Sequence, residues 1–219
     1  MNKLEEKFNV LCNIPSDINE HLITIKELTQ ECSSVFETGV RGVVTSYAFL
    51  YGLVNNNINN EKTLLLNDLV ECDINEFMEI SKPYNINIKY IWKNNLEIDF
   101  SDNENYDLTF IDTWHVYGQL KRELEKFSKI TNKYIVMHDT EIDGINGETR
   151  RPSGLYYNLF IQDNLDELIK TTKIPKVEIL NGLKPAINEF INNNKEWKIY
   201  KIYTNNNGLT ILKKEHCII

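Results

Sequence analysis

The chain has 219 residues, 42% of them hydrophobic, and sets 24 basic against 32 acidic side chains for a net charge of −8. That length buries a sizeable single core, and an acidic balance without a basic run argues against nucleic acid as the main partner, since phosphate neutralisation needs clustered Lys and Arg. Four scattered cysteines, Cys12, Cys32, Cys72 and Cys217, make no disulfide framework or metal motif and read as thiols in a reducing compartment.

The opening MNKLEEKFNVLC is charged and amphipathic, without the apolar core of a signal peptide. No apolar run reaches the roughly 20 residues of a membrane span. Both point to a soluble, cytoplasmic protein that makes no membrane contact. Leu4, Phe8 and Leu11, then Ile18, Leu22, Ile25 and Leu28, repeat with helical spacing over residues 1–30, and Pro15-Ser16-Asp17 supplies an N-cap for the second helix. These helices form an N-terminal extension over 1–33, whose amphipathic faces suit either a homodimer contact or packing on their own domain. Residues 34–219 read as one globular unit.

Ser34–Glu37 is a short strand and Val43–Leu53 an apolar helix closed by Asn55-Asn56-Asn57. Thr63–Leu66 is the second strand, running into Asn67 and Asp68. A helix over Ile74–Ser81 stops at Pro83, Asn85–Ile91 is the third strand, and Leu96–Asn105 has turn chemistry. Leu108–Ile111 and Tyr134–Met137 are strands four and five, with a helix over Val116–Ser128 between them. The segment EIDGINGETRRPSG then forms a polar, glycine-bearing loop of about fifteen residues, suited to a lid. Amphipathic helices over Leu155–Thr171 and Leu183–Asn193 follow, and Trp197–Thr204 with Leu209–Lys213 make a hairpin across Asn205–Gly208. Tyr200 and Tyr203 with their neighbouring lysines read as an amphipathic edge strand, not an RNA-facing one. Alternating strands and helices predict an α/β, Rossmann-like doubly wound sheet, mostly parallel with an antiparallel C-terminal hairpin.

Two apolar strands, in YDLTFIDTWH and YIVMHDT, break off into an acid and a histidine. In an open parallel sheet the carboxyl ends of the strands face the ligand crevice, so Asp112, His115, His138 and Asp139 converge on one pocket. The first strand runs into ETGVRG. An acid, a glycine turn and a helix N-terminus are how doubly wound proteins hold a nucleotide-like ligand, and Asp68 ends the second strand where a carboxylate grips ribose hydroxyls. The alternative is a plain tight strand–helix turn. Trp114 suits either a ligand ring or the core. Arg150 and Arg151 suit an anion clamp or a solvated surface. Tyr117 and Lys121 spell a dehydrogenase-like YxxxK by coincidence of spacing.

With ETGVRG, Asp68, FIDTWHVYGQLKRELEKF, YIVMHDT, GLKPAINEF, EWKIYKIY and NGLTIL, the chain resembles class I S-adenosylmethionine-dependent methyltransferases, in the branch of metal-dependent macrolide and sugar O-methyltransferases and cephalosporin-hydroxylase-like proteins. Coverage runs from Ser34 to Lys213. The resemblance implies that Glu37, Gly39, Arg41, Gly42, Thr45 and Ser46 bind the methionine portion of S-adenosylmethionine, that Asp68 takes the ribose and that Asn94 or Asn95 lies near adenine. It also places Asp112 beside the cofactor. Family members carry a glycine four residues after the first, where this chain has Val43 and puts Gly42 one earlier, so the turn is expected to be re-registered, with Arg41 offered to the cofactor's carboxylate.

In the metal-dependent members three side chains hold Mg²⁺, matched here by Asp112, His138 and Asp139. Histidine at 138 breaks the all-oxygen pattern, so either it stands outside the coordination shell or the site takes a softer divalent ion. Glu141 and Asp143 are nearby substitutes. His115 matches the family's general base. The implied activity is methyl transfer to a hydroxyl of a small molecule, a sugar or sugar nucleotide preferred. The alternatives are a non-catalytic protein binding the cofactor or a partner on the same fold, an iron-dependent hydroxylase-like relative and, third, a nicotinamide oxidoreductase.

Overall fold

In the computed structural model, residues 2–215 are described; Cys217 lies outside them. The helices are α1 (Lys3–Asn13), α2 (Leu22–Thr29), α3 (Val44–Val54), α4 (Asn75–Ser81), α5 (Tyr117–Phe127), α6 (Tyr157–Ile161), α7 (Asp166–Thr172), α8 (Lys176–Ile179) and α9 (Leu183–Asn193). The strands are β1 (Ser34–Thr38), β2 (Lys62–Asp68), β3 (Ile86–Trp92), β4 (Tyr106–Ile111), β5 (Thr131–His138), β6 (Trp197–Tyr203) and β7 (Leu209–Lys214). They hydrogen-bond in the order β3-β2-β1-β4-β5-β7-β6. Pairings of β1 with β2 and β4, and of β2 with β3, are parallel, while β6 and β7 are antiparallel. This is the expected Rossmann-like sheet with its C-terminal hairpin.

The chain forms two compact units. The first holds the residues up to Ile111 together with Ile130–Val136; the second holds Asp112–Lys129 and the residues from Met137 on.

In the first unit β4 is buried at every position and Leu64–Leu66 of β2 are closed off as well. Strands covered on both faces carry continuous apolar runs, because neither face can be left to water. Helix α3 is apolar all round and buried along most of its length, as that composition demands. It packs against α2 across Gly52, where a Cβ would lie 2.6 Å from the Lys26 carbonyl oxygen; only glycine lets the two backbones come so close. Asn2 caps α1 by accepting from Glu5 N–H at 2.8 Å. Ser16 Oγ accepts from Asn19 N–H at 3.0 Å where a 3₁₀ turn begins, but α2 itself starts after His21 without a side-chain cap, so the expected N-cap does not serve that helix. Strand β1 lies between β2 and β4, which makes its carboxyl end the switch point where a crevice opens.

In the second unit α5 packs on α8 and α9. Leu165, Leu168, Ile174 and Ile179 form a buried cluster with Trp114, Tyr156 and Phe160 against it. The helix expected over Leu155–Thr171 is two helices, α6 and α7. The break falls at Asp163, whose φ of 50° is left-handed, a conformation Asp tolerates better than most residues and one that no right-handed helix continues through.

Candidate active site

In the first unit Glu37 is wholly buried and its Oε2 accepts a hydrogen bond from Ser46 Oγ at 2.6 Å, tying the end of β1 to the first turn of α3. Gly39 has φ +94° and donates its N–H to the Asn67 carbonyl at 2.9 Å. Asp68 accepts from Arg41 N–H at 2.8 Å and Val70 N–H at 3.0 Å, which fixes its carboxylate beside the glycine turn. Thr45 lies buried in that first turn of α3. The Arg41 guanidinium points elsewhere and pairs with Asp17 at 2.6 Å.

Val43, not Gly42, adopts the left-handed conformation, with φ 60°, directly ahead of α3. A β-branched residue there is strained, and such strain concentrates at functional turns.

Two buried asparagines, one unassigned and the other named only as an alternative near adenine, bind the strand ends together. Asn67 accepts from Thr38 Oγ1 at 2.8 Å and donates to the carbonyls of Ile91 and Lys93. Asn95 donates to Thr38 Oγ1 at 3.0 Å, while Asn94 caps the short 3₁₀ turn that follows β3.

The titratable groups that follow β4 and β5 belong to the second unit. His115 Nε2–H donates to Asp112 Oδ1 at 3.0 Å. Its Nδ1 stands 3.1 Å from Asp139 Oδ2, 3.3 Å from Glu148 Oε2 and 3.5 Å from Asp143 Oδ2. His138 Nδ1 lies 3.4 Å from both Asp112 Oδ2 and Asp139 Oδ1. Arg151 Nη2 is 3.2 Å from Asp143 Oδ2.

The local chain explains the placement. Asp139 leaves β5 with φ 56°, and Asp143 N–H donates to the Asp139 carbonyl at 3.1 Å, so a single hydrogen-bonded turn brings both carboxylates to His115. Glu148 is held from both directions, since its backbone N–H donates to the His115 carbonyl and its side chain accepts from His115 N–H. The β6–β7 turn supports the end of β5. Asn207 accepts from the N–H groups of Glu141 and Ile142, and the Asn206 carbonyl lies 3.3 Å from His138 Nε2. Gly208 is required there: its φ is +94° and a Cβ would sit 2.5 Å from Glu141 N.

The sequence singled out Asp112, His115, His138 and Asp139, and the second unit brings these four together. Asp143 joins them. Glu141 does not, being paired with Lys184 at 2.8 Å. Glu148 and the site-facing position of Arg151 went unread, because both depend on how the lid loop folds back.

Burial and opposite charge at such range shift both histidines and three of the carboxyls. Burial opposes charging His115, yet the hydrogen bond to Asp112 and the neighbouring carboxylates raise its pKa well above the ordinary imidazole value. For His138, burial is likewise outweighed by Asp112, and the pKa rises. Burial works against ionised Asp112, but both histidines overcome it and hold the carboxyl far below its usual range. Glu148, also against the pull of burial, is held at about 2 by His115. Asp143 is pushed up to about 6, burial outweighing His115 and Arg151.

The signs give a prediction for the cation-free protein. The raised histidines stabilise fully below their ordinary value of 6.5 and lose that contribution as pH rises through their raised values. Ionising Asp143 costs stability between 3.8 and about 6. Glu148 contributes above 4.5 and fails only toward 2. Chelator-treated protein should therefore melt higher near pH 5 than near pH 8, and a divalent cation should reverse the order by taking the protons' place. A melting temperature rising steadily from pH 5 to pH 8 without cation would contradict this charge assignment.

The donor set suits a divalent ion. Asp112, His138 and Asp139 bring ligand atoms within 4.8 Å of one another, and Asp139 Oδ1 is buried without a hydrogen bond. Imidazole with carboxylate suits Mn²⁺, Fe²⁺ or Zn²⁺ better than Mg²⁺, which asks for oxygen.

Solved structures share the fold over nearly the whole chain. An O-methyltransferase from Bacillus cereus in complex with S-adenosylhomocysteine superposes with a TM-score of 0.54 at 14% identity, covering 97% of this chain and 90% of that one. An O-methyltransferase from Streptomyces achromogenes involved in tomaymycin synthesis, in complex with S-adenosylmethionine, gives 0.54 at 10%, covering 98% and 87%. Magnesium protoporphyrin IX methyltransferase from Synechocystis gives 0.53 at 11%, covering 97% and 94%. At these identities the likeness is one of fold. No family model matches the chain, and no curated protein sequence does. Among the described residues, no helix is long and apolar enough to cross a membrane.

Proposed function

We propose that the chain is an S-adenosylmethionine-dependent O-methyltransferase acting on a hydroxyl of a small molecule. The observation that carries this reading is the strand-end cluster of Asp112, His115, His138 and Asp139, on a fold shared with methyltransferases holding S-adenosylmethionine or its product. Binding alone does not call for two histidines and four carboxylates gathered around one point. A sugar or sugar nucleotide is the preferred acceptor, on the sequence resemblance.

Glu37, Gly39, Arg41, Gly42, Thr45, Ser46, Asp68 and either Asn94 or Asn95 are assigned to the methyl donor. The buried Glu37–Ser46 contact holds α3 with its N-terminal N–H groups at the strand end, and Asp68, fixed by two backbone donors, presents its remaining lone pairs to ribose hydroxyls. Asp112, His138 and Asp139 are the residues to hold a divalent cation. Bound there, it would supply positive charge that acidifies an adjacent hydroxyl and imidazole.

His115 takes the proton. With Nε2–H committed to Asp112, Nδ1 is the atom that accepts. In cation-free protein the surrounding carboxylates keep it charged, so a compensating charge nearby is needed before it acts as a base. As the acceptor's O–H loses its proton to Nδ1, an oxygen lone pair forms the bond to the sulfonium methyl carbon. The C–S bond breaks toward sulfur, leaving neutral S-adenosylhomocysteine.

Two imidazoles beside carboxylates also make the donor set of non-haem iron oxygenases, which keeps iron-dependent hydroxylation as a second reading. Calorimetric titration separates them. S-adenosylmethionine is expected to bind at micromolar concentration, with Mn²⁺ present or absent. Failure to bind it, with 2-oxoglutarate binding in the presence of Fe²⁺ instead, would move the assignment to the hydroxylase.

A further inference from the structure

We propose that the second unit binds two divalent cations, the second held by His115 Nδ1, Asp139 Oδ2 and Asp143, with Asp139 bridging to the first. This rests on the assignment of the first cation to Asp112, His138 and Asp139.

The two oxygens of Asp139 are already divided. Oδ1 faces His138 Nδ1 at 3.4 Å, and Oδ2 faces His115 Nδ1 at 3.1 Å. A carboxylate that offers one oxygen to each of two donor groups is the arrangement of bridged two-metal sites. The ligand atoms of His115, Asp139 and Asp143 lie within 4.8 Å of one another. With bonds of about 2.1 Å, neighbouring donors stand roughly 3.0–3.4 Å apart around an octahedral or tetrahedral ion. The distances from His115 Nδ1, 3.1 Å to Asp139 Oδ2 and 3.5 Å to Asp143 Oδ2, match that spacing. Glu148 Oε2, at 3.3 Å from the same nitrogen, supplies a further oxygen.

Asp143 is an independent pointer. Its side chain is 1% exposed, and neither of its carboxylate oxygens accepts a hydrogen bond. Oδ2 meets His115 and Arg151 across 3.5 and 3.2 Å, whereas Oδ1 is buried without a donor. Leaving a carboxylate oxygen so placed is expensive unless a cation completes it. Arg151 and the two histidines bring three positive charges against the four carboxylates of Asp112, Asp139, Asp143 and Glu148, one short of balance. The nitrogen donor selects Mn²⁺, Fe²⁺ or Zn²⁺ over Mg²⁺.

Filling this position has a consequence for the reaction. A cation on Nδ1 replaces the proton there while Nε2 stays on Asp112, so His115 no longer serves as a base. Turnover is expected to rise and then fall as cation is increased.

Equilibrium dialysis of the full chain against Mn²⁺ tests the site without reference to activity. Wild type is expected to hold two Mn²⁺ per chain, with an exchange-coupled paramagnetic resonance spectrum from the bridged pair. Asp143→Asn should hold one, with an isolated-ion spectrum, and circular dichroism should show its fold intact. Arg151→Gln, which removes a competing charge, should tighten the weaker ion severalfold. One Mn²⁺ per chain in both wild type and Asp143→Asn would overturn the second site and leave the first standing. None in wild type would overturn both cation assignments. Loss of S-adenosylmethionine binding alone would strike the methyltransferase reading and leave the stoichiometry untouched.

Discussion

Replacing Asp139 by asparagine is expected to abolish tight divalent-cation binding and to lower methyl transfer by about a hundredfold or more. Asp139, like Asp112, faces both imidazoles, His138 through Oδ1 and His115 through Oδ2. The amide keeps shape and hydrogen-bonding capacity but loses the charge, and its nitrogen end cannot ligate. Asparagine also tolerates the left-handed backbone at this position, φ 56°, better than alanine would, so the loss reports on the site and not on the turn. The second unit should remain folded, because the histidines keep Asp112 and Glu148 as partners. Calorimetric titration with Mn²⁺ and a methyl-transfer assay read the two effects separately. Cation affinity and turnover both near wild type would remove Asp139 from the machinery. Turnover lost with cation binding intact would make it an orienting group for His115 instead.

Replacing Phe110 by alanine is expected to be the most damaging single truncation of the first unit, at about 3–5 kcal/mol. Phe110 is fully buried in β4, and its ring meets that of Phe49 on α3 edge-on, with centroids 5.5 Å apart. The truncation removes that contact and opens a cavity between strand and helix, which a close-packed interior does not refill. In a chain of this size the melting temperature should fall by roughly 10 °C. Tyr200→Ala is the control: its ring is 53% exposed on β6, and a surface change of that kind stays within about 0.5 kcal/mol. Equal shifts for the two would mean that the β4–α3 packing does not dominate this core.

Much of the candidate site was legible because strand ends announce themselves. Apolar runs broken by Asp112 and by His138-Asp139 mark where buried backbone gives way to polar chemistry, and a parallel sheet sends those ends to one side. The Asp139–Asp143 pair was half legible, since a four-residue spacing signals a shared face only if the lid begins with a helical turn. Glu148 was not legible at all. It reaches His115 across 33 positions of sequence, and nothing in GINGETRRPSG says which acid turns inward. The conformation of Val43 was not legible for a related reason: a β-branched residue with φ 60° is not something local preference predicts. Packing and hydrogen bonding around the turn, including Gly39 N–H to the Asn67 carbonyl, hold the backbone where the side chain alone would not choose to be. The expected helix over Leu155–Thr171 failed at Asp163 because continuous apolar spacing does not reveal a left-handed residue.

By itself the sequence determined the order of strands and helices, the buried character of β1, β2 and β4, and the chemistry available at their ends. Those properties follow from local periodicity and from the cost of burying polar groups, which act over a few residues at a time. Only the tertiary structure decided which acids share His115, which oxygen of Asp139 faces which imidazole, and that the Arg41 guanidinium goes to Asp17. Charge interactions depend on distances between groups far apart in the chain, and the fold of the loop after β5 sets those distances.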